Sequence, residues 1–198
     1  MNADPWGHVL SFGPKSEDAL LEGLLKQKRD VILEKWQNLI LETYPEDSLA
    51  FLKKQSDRFQ NPVGNTLRDA AAVILEALIE GVGTEALSSS LDDMIRVRSV
   101  QDFPPAQAVV PIFLLKNVVR EELMGKLGDS KLCEELREFE SKIDGLALSA
   151  FDNFMKCKTE IYDIRAREAQ KMSAKLVERL NQSAGETDRL DSSSEKNI

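Results

Sequence analysis

From Lys131 to about Gln182 the chain meets no proline and a single glycine, Gly145. Proline breaks helices by removing a donor and clashing with the preceding turn, so a run this long without one predicts helix throughout. At 1.5 Å per residue it would reach roughly 75–80 Å, more than a compact domain spans. Its first part must therefore pack on a body, and its second part must find another partner. The apolar residues divide accordingly. Leu136, Phe139, Ile143, Leu146, Phe151 and Phe154 are large enough to join a core. Beyond them the stripe thins to Ile161, Ile164, Ala169, Met172, Leu176 and Leu180 among many charges. A stripe that narrow suits one partner helix, as in a coiled coil, although Glu168 interrupts it and strict heptads are few. Ile161, Ile164, Met172, Leu176 and Leu180 are the candidate dimer helix.

Upstream, apolar spacing predicts the body. Residues 1–15, with Pro5, Gly7, Gly13 and Pro14, read as an irregular arm. Ser16 offers a cap, and Leu21, Leu25, Ile32, Trp36 and Leu39 then recur at helical spacing as far as Tyr44-Pro45. Pro45 starts a short helix to about Ser56, with Leu49, Phe51 and Leu52 inward. FQNPVGN (59–65) reads as a loop. Leu67, Ala71, Ile74 and Leu78 line one face of the next helix, and Ala70, Ala71 and Ala72 allow close approach of a neighbour. Gly81 and Gly83 stop it, and Thr84 caps a helix carrying Leu87, Leu91, Met94 and Ile95.

VQDFPPAQ (100–107) is a turn whose prolines suit a helix start. The helix after it holds Val109, Val110, Ile112, Phe113, Leu115, Val118, Val119 and Leu123, apolar over more than one face, and reads as the central buried helix. Pro111 removes one of its hydrogen bonds and predicts a kink near 107–111. Gly125 and Gly128 close it, and Asp129-Ser130 opens the long helix. The fold class is all-α, a bundle of about six helices with a long C-terminal helix. Residues 1–15 form the arm, 16–155 the bundle, 156–182 the extended helix, and 183–198, polar and Ser-rich, a disordered tail.

Several functions are excluded by what the chain lacks. The net charge is −8, which repels nucleic-acid backbones and anionic membranes over the mean surface. No segment approaches the roughly 18 apolar residues of a membrane span, and the first residues lack a signal-peptide pattern. Cys133 and Cys157 are too few and too far apart for a disulfide framework, which points to a reducing, cytoplasmic setting. His8 is the sole histidine and lies in the arm, so a nucleophile in the body has no imidazole base. Glu-x-x-His pairs, phosphate-binding glycine loops and zinc-ligand spacings do not occur. Glu121-Glu122 reads as a solvated helix face. Neither a catalytic nor a metal residue is assigned, and no cofactor.

Arg96 and Arg98 precede Gln101, Asp102, Phe103 and the double proline, while Asn61-Pro62 marks another turn. Arginines near helix ends offer bidentate donors to an anion or a partner carboxylate. They equally serve as scaffold, since Asp92 and Arg96 stand at i,i+4 and Arg98 is placed to cap carbonyls. Candidate recognition residues are thus Asn61, Arg96, Arg98, Gln101, Phe103 and Lys116, the last being the first charge on the apolar helix. Two functions fit this pattern. One is a dimeric module acting by protein contact, a membrane-associated complex among the possible partners. The other is a receptor for a hydrophobic ligand or tetrapyrrole near Trp36, Phe103 and Phe113, its carboxylate held by Arg96 or Arg98.

Trp36, Tyr44-Pro45, Phe51-Leu52 and RFQNPVGNT (58–66), followed by IRVRSVQDFPPAQAVVPIFLLKNVVREEL (95–123), resemble the RsbRD N-terminal domain family. That resemblance implies a helical, globin-like sensory module without enzymatic activity, working in bacterial stress or redox signalling through protein contacts and dimers. In the wider group such a module precedes a STAS domain that assembles into a stressosome. Here a charged helix and tail occupy that place, so the resemblance implies a stand-alone member.

Overall fold

The computed structural model describes residues 20–53, 59–81, 83–126 and 129–194. Among them the order is α1 (Leu20–Glu42), α2 (Glu46–Lys53), α3 (Pro62–Glu80), α4 (Thr84–Val100), α5 (Pro105–Leu123), a short 3-10 turn (Met124–Lys126) and α6 (Ser130–Ser194). The described residues contain helices and no strand, as the apolar spacing predicts. The expected arm and its Ser16 cap lie outside the described residues.

Each helix meets the core through the face its spacing set. Leu21, Leu25, Ile32, Trp36 and Ile40 of α1 are buried, as are Leu67, Ala71, Ile74 and Leu78 of α3 and Leu87, Leu91, Met94 and Ile95 of α4. α3 packs on α4 and α1, and α1 packs on α5. Ala70 and Ala71 are buried on the closely packed α3, where a side chain ending at Cβ lets backbones approach. From α6, Leu136, Phe139, Ile143, Leu146, Ala150 and Phe154 join the same core. α6 is continuous through Gly145.

Several details correct the expectations. Phe151 of α6 is 45% exposed rather than in the core, because the core face of that helix runs through Ala147, Ala150 and Phe154. Residues 62–65 are not loop but the first turn of α3, because Asn61 caps that helix and Pro62 supplies a pre-set φ at its first position. Thr84 is the first residue of α4 rather than its cap; left-handed Gly83 occupies the cap position. Phe51 points outward at 52% exposure, since α2 is short and buries Leu52 alone. Val110 and Phe113 of α5 are also exposed, so that helix is central without being buried all round. Helical backbone continues past Gln182 to Ser194, where disorder was expected, because a lone Gly185 without proline lowers helix propensity but does not break the ladder.

Ion pairs bind the helices across their polar edges. Lys28 and Lys35 of α1 hold Glu122 of α5 at 2.8 and 2.7 Å, and Lys35 also reaches Glu121 at 2.6 Å. Glu122, with a side chain only 13% exposed, is thus clasped to α1, while Glu121 keeps the solvated face expected of it. Arg120 pairs with Glu140, and Lys116 with Asp144 at 2.5 Å, tying α5 to α6. Hydrogen bonds from Lys28 and then Lys35 hold the Glu122 carboxyl below its ordinary range, and Arg120 does the same for Glu140. A carboxyl whose folded pKa is depressed stabilises the fold above the unfolded pKa and loses that contribution as pH falls through the folded value. Thermal midpoints should therefore decline from about pH 5 downward. In a Glu122→Gln/Glu140→Gln variant the decline should be shallower, with lower stability at pH 7. Parallel pH profiles for the two proteins would contradict this assignment.

The described chain divides into two compact units, Met1–Cys157 and Lys158–Ile198. No described helix is long and apolar enough to cross a membrane.

Candidate functional site

The best-built polar feature of the first unit lies where α1, α4 and α5 meet, and it begins with a missing donor. Pro111 sits inside α5 and has no N–H, so the carbonyl of Gln107, four residues earlier, loses its helical partner. Arg98, in the last turn of α4, supplies a replacement: its Nη2 donates to the Gln107 oxygen at 3.1 Å. The same nitrogen donates to Thr43 Oγ1, just beyond α1, at 2.8 Å. Arg98 is 0% exposed.

Both of these acceptors are uncharged, a carbonyl and a hydroxyl. Two aromatic rings flank the cation instead, Phe103 at 4.3 Å and Tyr44 at 5.0 Å from the guanidinium carbon. Those rings meet edge to face at 5.0 Å. π faces attract a cation, and they do so more strongly where water is excluded. Burial still lowers the Arg98 pKa and, acting alone among the raising causes, lifts that of Tyr44. The Tyr44 hydroxyl donates to Gln101 Oε1 at 2.9 Å. Asp102 takes a left-handed φ of 59°, which turns the chain so that Phe103 returns over Arg98. On the other side of Pro111, Trp36 Nε1 donates to the Pro111 oxygen at 2.7 Å. The guanidinium Nε and Nη1 meet no acceptor among the described residues.

Of the six recognition candidates, the structure brings Arg98, Gln101 and Phe103 together here. Thr43, Tyr44 and Gln107 complete the corner and were not singled out from sequence; the signal for Gln107 was its place four residues before Pro111. Asn61 stands apart as a fully buried cap. Its Oδ1 accepts from Gly64 N at 2.9 Å, and its Nδ2 donates to Leu52 O at 3.0 Å. A Cβ on Gly64 would lie 2.6 Å from that amide, so only glycine admits the Asn61 side chain. Arg96 is solvent-facing and pairs with Asp92 at 2.9 Å. Lys116 lies over the edge of α5, 6.0 Å from the Phe113 ring and bonded to Asp144. Trp36, Phe103 and Phe113 occupy three different settings: closed core, arginine stack and solvent-facing surface.

The second unit presents a different feature. From Thr159 to Arg179 its described side chains are exposed except Ile161, which is half-buried. Among them are large apolar groups, with Tyr162 60%, Ile164 55%, Met172 69%, Leu176 59% and Val177 56% exposed. Met172 and Leu176 share a face. Ile164 follows Tyr162 by two residues, about 200° around the helix, and so lies on another. The Leu180 side chain lies outside the described residues.

Comparison with known proteins gives one family, described as the RsbT co-antagonist protein rsbRD N-terminal domain, which matches residues 30–169. That span takes in both sequence blocks and every residue of the Arg98 corner. An uncharacterized protein of Archaeoglobus fulgidus is 25% identical over 167 residues, 81% of this chain and 99% of that one. No solved structure matches.

Proposed function

This chain belongs to the RsbT co-antagonist protein rsbRD N-terminal domain family, and from that membership we propose a non-enzymatic regulatory module of stress or redox signalling that acts through protein contacts made by α6. The supporting observation is the stripe of exposed apolar side chains on that helix in the second unit, Tyr162, Met172 and Leu176. Water disfavours such groups, and a helix with one apolar stripe satisfies it by pairing with another helix. The Arg98 corner supports a regulatory rather than catalytic role for the bundle. The hydrogen bonds of Arg98 tie α4 to α5 and to the residue following α1, and among the described residues no imidazole lies in the corner to move a proton. A globin-like arrangement of the helices and a cytoplasmic homodimer belong to the same proposal. A receptor for a hydrophobic ligand has less support, since Arg98 is enclosed beneath Phe103 and Trp36 is spent on Pro111.

Light scattering on the full chain and on a Met172→Glu/Leu176→Glu variant tests the reading, together with affinity capture from the native host. Both sites are exposed, so the fold should survive. The variant should lose either the dimer mass or the captured protein. A wild-type chain that is monomeric at every accessible concentration, and captures the same proteins with and without the two charges, would sink it.

A further inference from the structure

The sequence of residues 158–179 carries an asymmetry that specifies the partner of this helix. With Tyr162, Ala169 and Leu176 written as the first core position of successive heptads, the other core position falls on Lys158, Arg165, Met172 and Arg179. One row is wholly apolar and the other largely basic. In a parallel, in-register pair each row faces itself, so Lys158, Arg165 and Arg179 would each confront an identical cation. Reversing one helix makes each row face the other. Arg165 and Arg179 then each lie against an apolar residue, and no base lies against a base.

We propose that residues 162–179 of α6 form an antiparallel two-helix seam with the same segment of a second copy of this chain. The inference rests on the reading that α6 works by pairing, and it adds the identity and direction of the partner. One register also satisfies the flanks. Setting Ala169 against Met172 of the second copy places Tyr162 opposite Arg179 and Leu176 opposite Arg165. The first is a cation–π contact, and in the second the arginine stem covers the leucine while its head reaches water. In the same register Glu168 lies beside Lys175 of the second copy. The two-fold axis repeats that pair, so one fit supplies two oppositely charged contacts. A parallel pair would instead put Glu168 near Ser173 and Lys175 near Leu180, with no such complementarity. Glu168 and Lys175 are both exposed and seven residues apart, too far to pair within one helix.

Sedimentation equilibrium on the full chain and three variants tests this. Glu168→Lys and Lys175→Glu should each raise the dimer dissociation constant roughly tenfold, because each converts two attractive flank contacts into repulsive ones. The double variant E168K/K175E, which restores opposite charges only in the antiparallel register, should return close to the wild-type constant. A double variant weaker than either single one, or three variants indistinguishable from wild type, overturns the seam. So does a wild-type chain that stays monomeric. If that monomer still loses a captured protein on Met172→Glu/Leu176→Glu, the self-pairing fails while the broader reading of α6 stands; if it loses none, both fail.

Discussion

Arg98→Ala is expected to lower the unfolding free energy by about 2–5 kcal/mol, the range for truncating a large buried side chain, with the loss of its hydrogen bonds to two acceptors included. The loss has three separable sources. The Gln107 carbonyl, already deprived of its helical donor by Pro111, loses the replacement at 3.1 Å. The Thr43 hydroxyl loses its donor at 2.8 Å. Tyr44 and Phe103 lose the cation packed against both rings. Arg98→Lys should recover only part, because an ammonium has no planar face to stack and one nitrogen must choose among these partners. In a Pro111→Ala background the N–H of residue 111 returns to Gln107, so removing Arg98 there should cost less; that coupling is the diagnostic result. Urea unfolding of the four proteins of this cycle measures it. A cost of Arg98→Ala below about 1 kcal/mol, typical of surface positions, would show that the arginine is not held for the fold and would return it to the list of ligand-binding groups.

The same corner shows what the sequence made legible. Helical spacing placed most core faces because burial of one stripe leaves a periodic trace, and α3 and α4 follow it closely. Pro111 announced a broken hydrogen bond inside α5, and Arg98 was recognised as a residue near a helix end. What joined them was not readable. Contact between residues 98 and 107 depends on the left-handed turn at Asp102, and Thr43 and Tyr44 arrive from a helix far away in sequence. Asn61 was missed as a cap for a different reason. A proline and a glycine read as loop punctuation, yet here Pro62 opens a helix and Gly64 makes room for the capping amide. On α6 the stripe itself was legible. The alternation of apolar and basic core positions was present in the same letters, but it became informative only once exposure showed which side chains face solvent.

Trp36→Ala is the second large effect, expected to cost about 3–5 kcal/mol. Trp36 is 0% exposed and is the largest of the fully buried side chains. Its indole N–H also anchors the carbonyl of Pro111 at 2.7 Å, so the residue both fills the α1–α5 interface and pins the proline-weakened part of α5. Trp36→Phe separates these roles. It keeps an aromatic ring but removes the donor, and should cost about 1–3 kcal/mol, well below the alanine change. Denaturant unfolding followed by circular dichroism measures both, independently of the fluorophore being removed. If the two variants are equally destabilised, packing volume contributes little and the hydrogen bond to Pro111 dominates. If neither loses more than about 1 kcal/mol, the α1–α5 interface repacks readily.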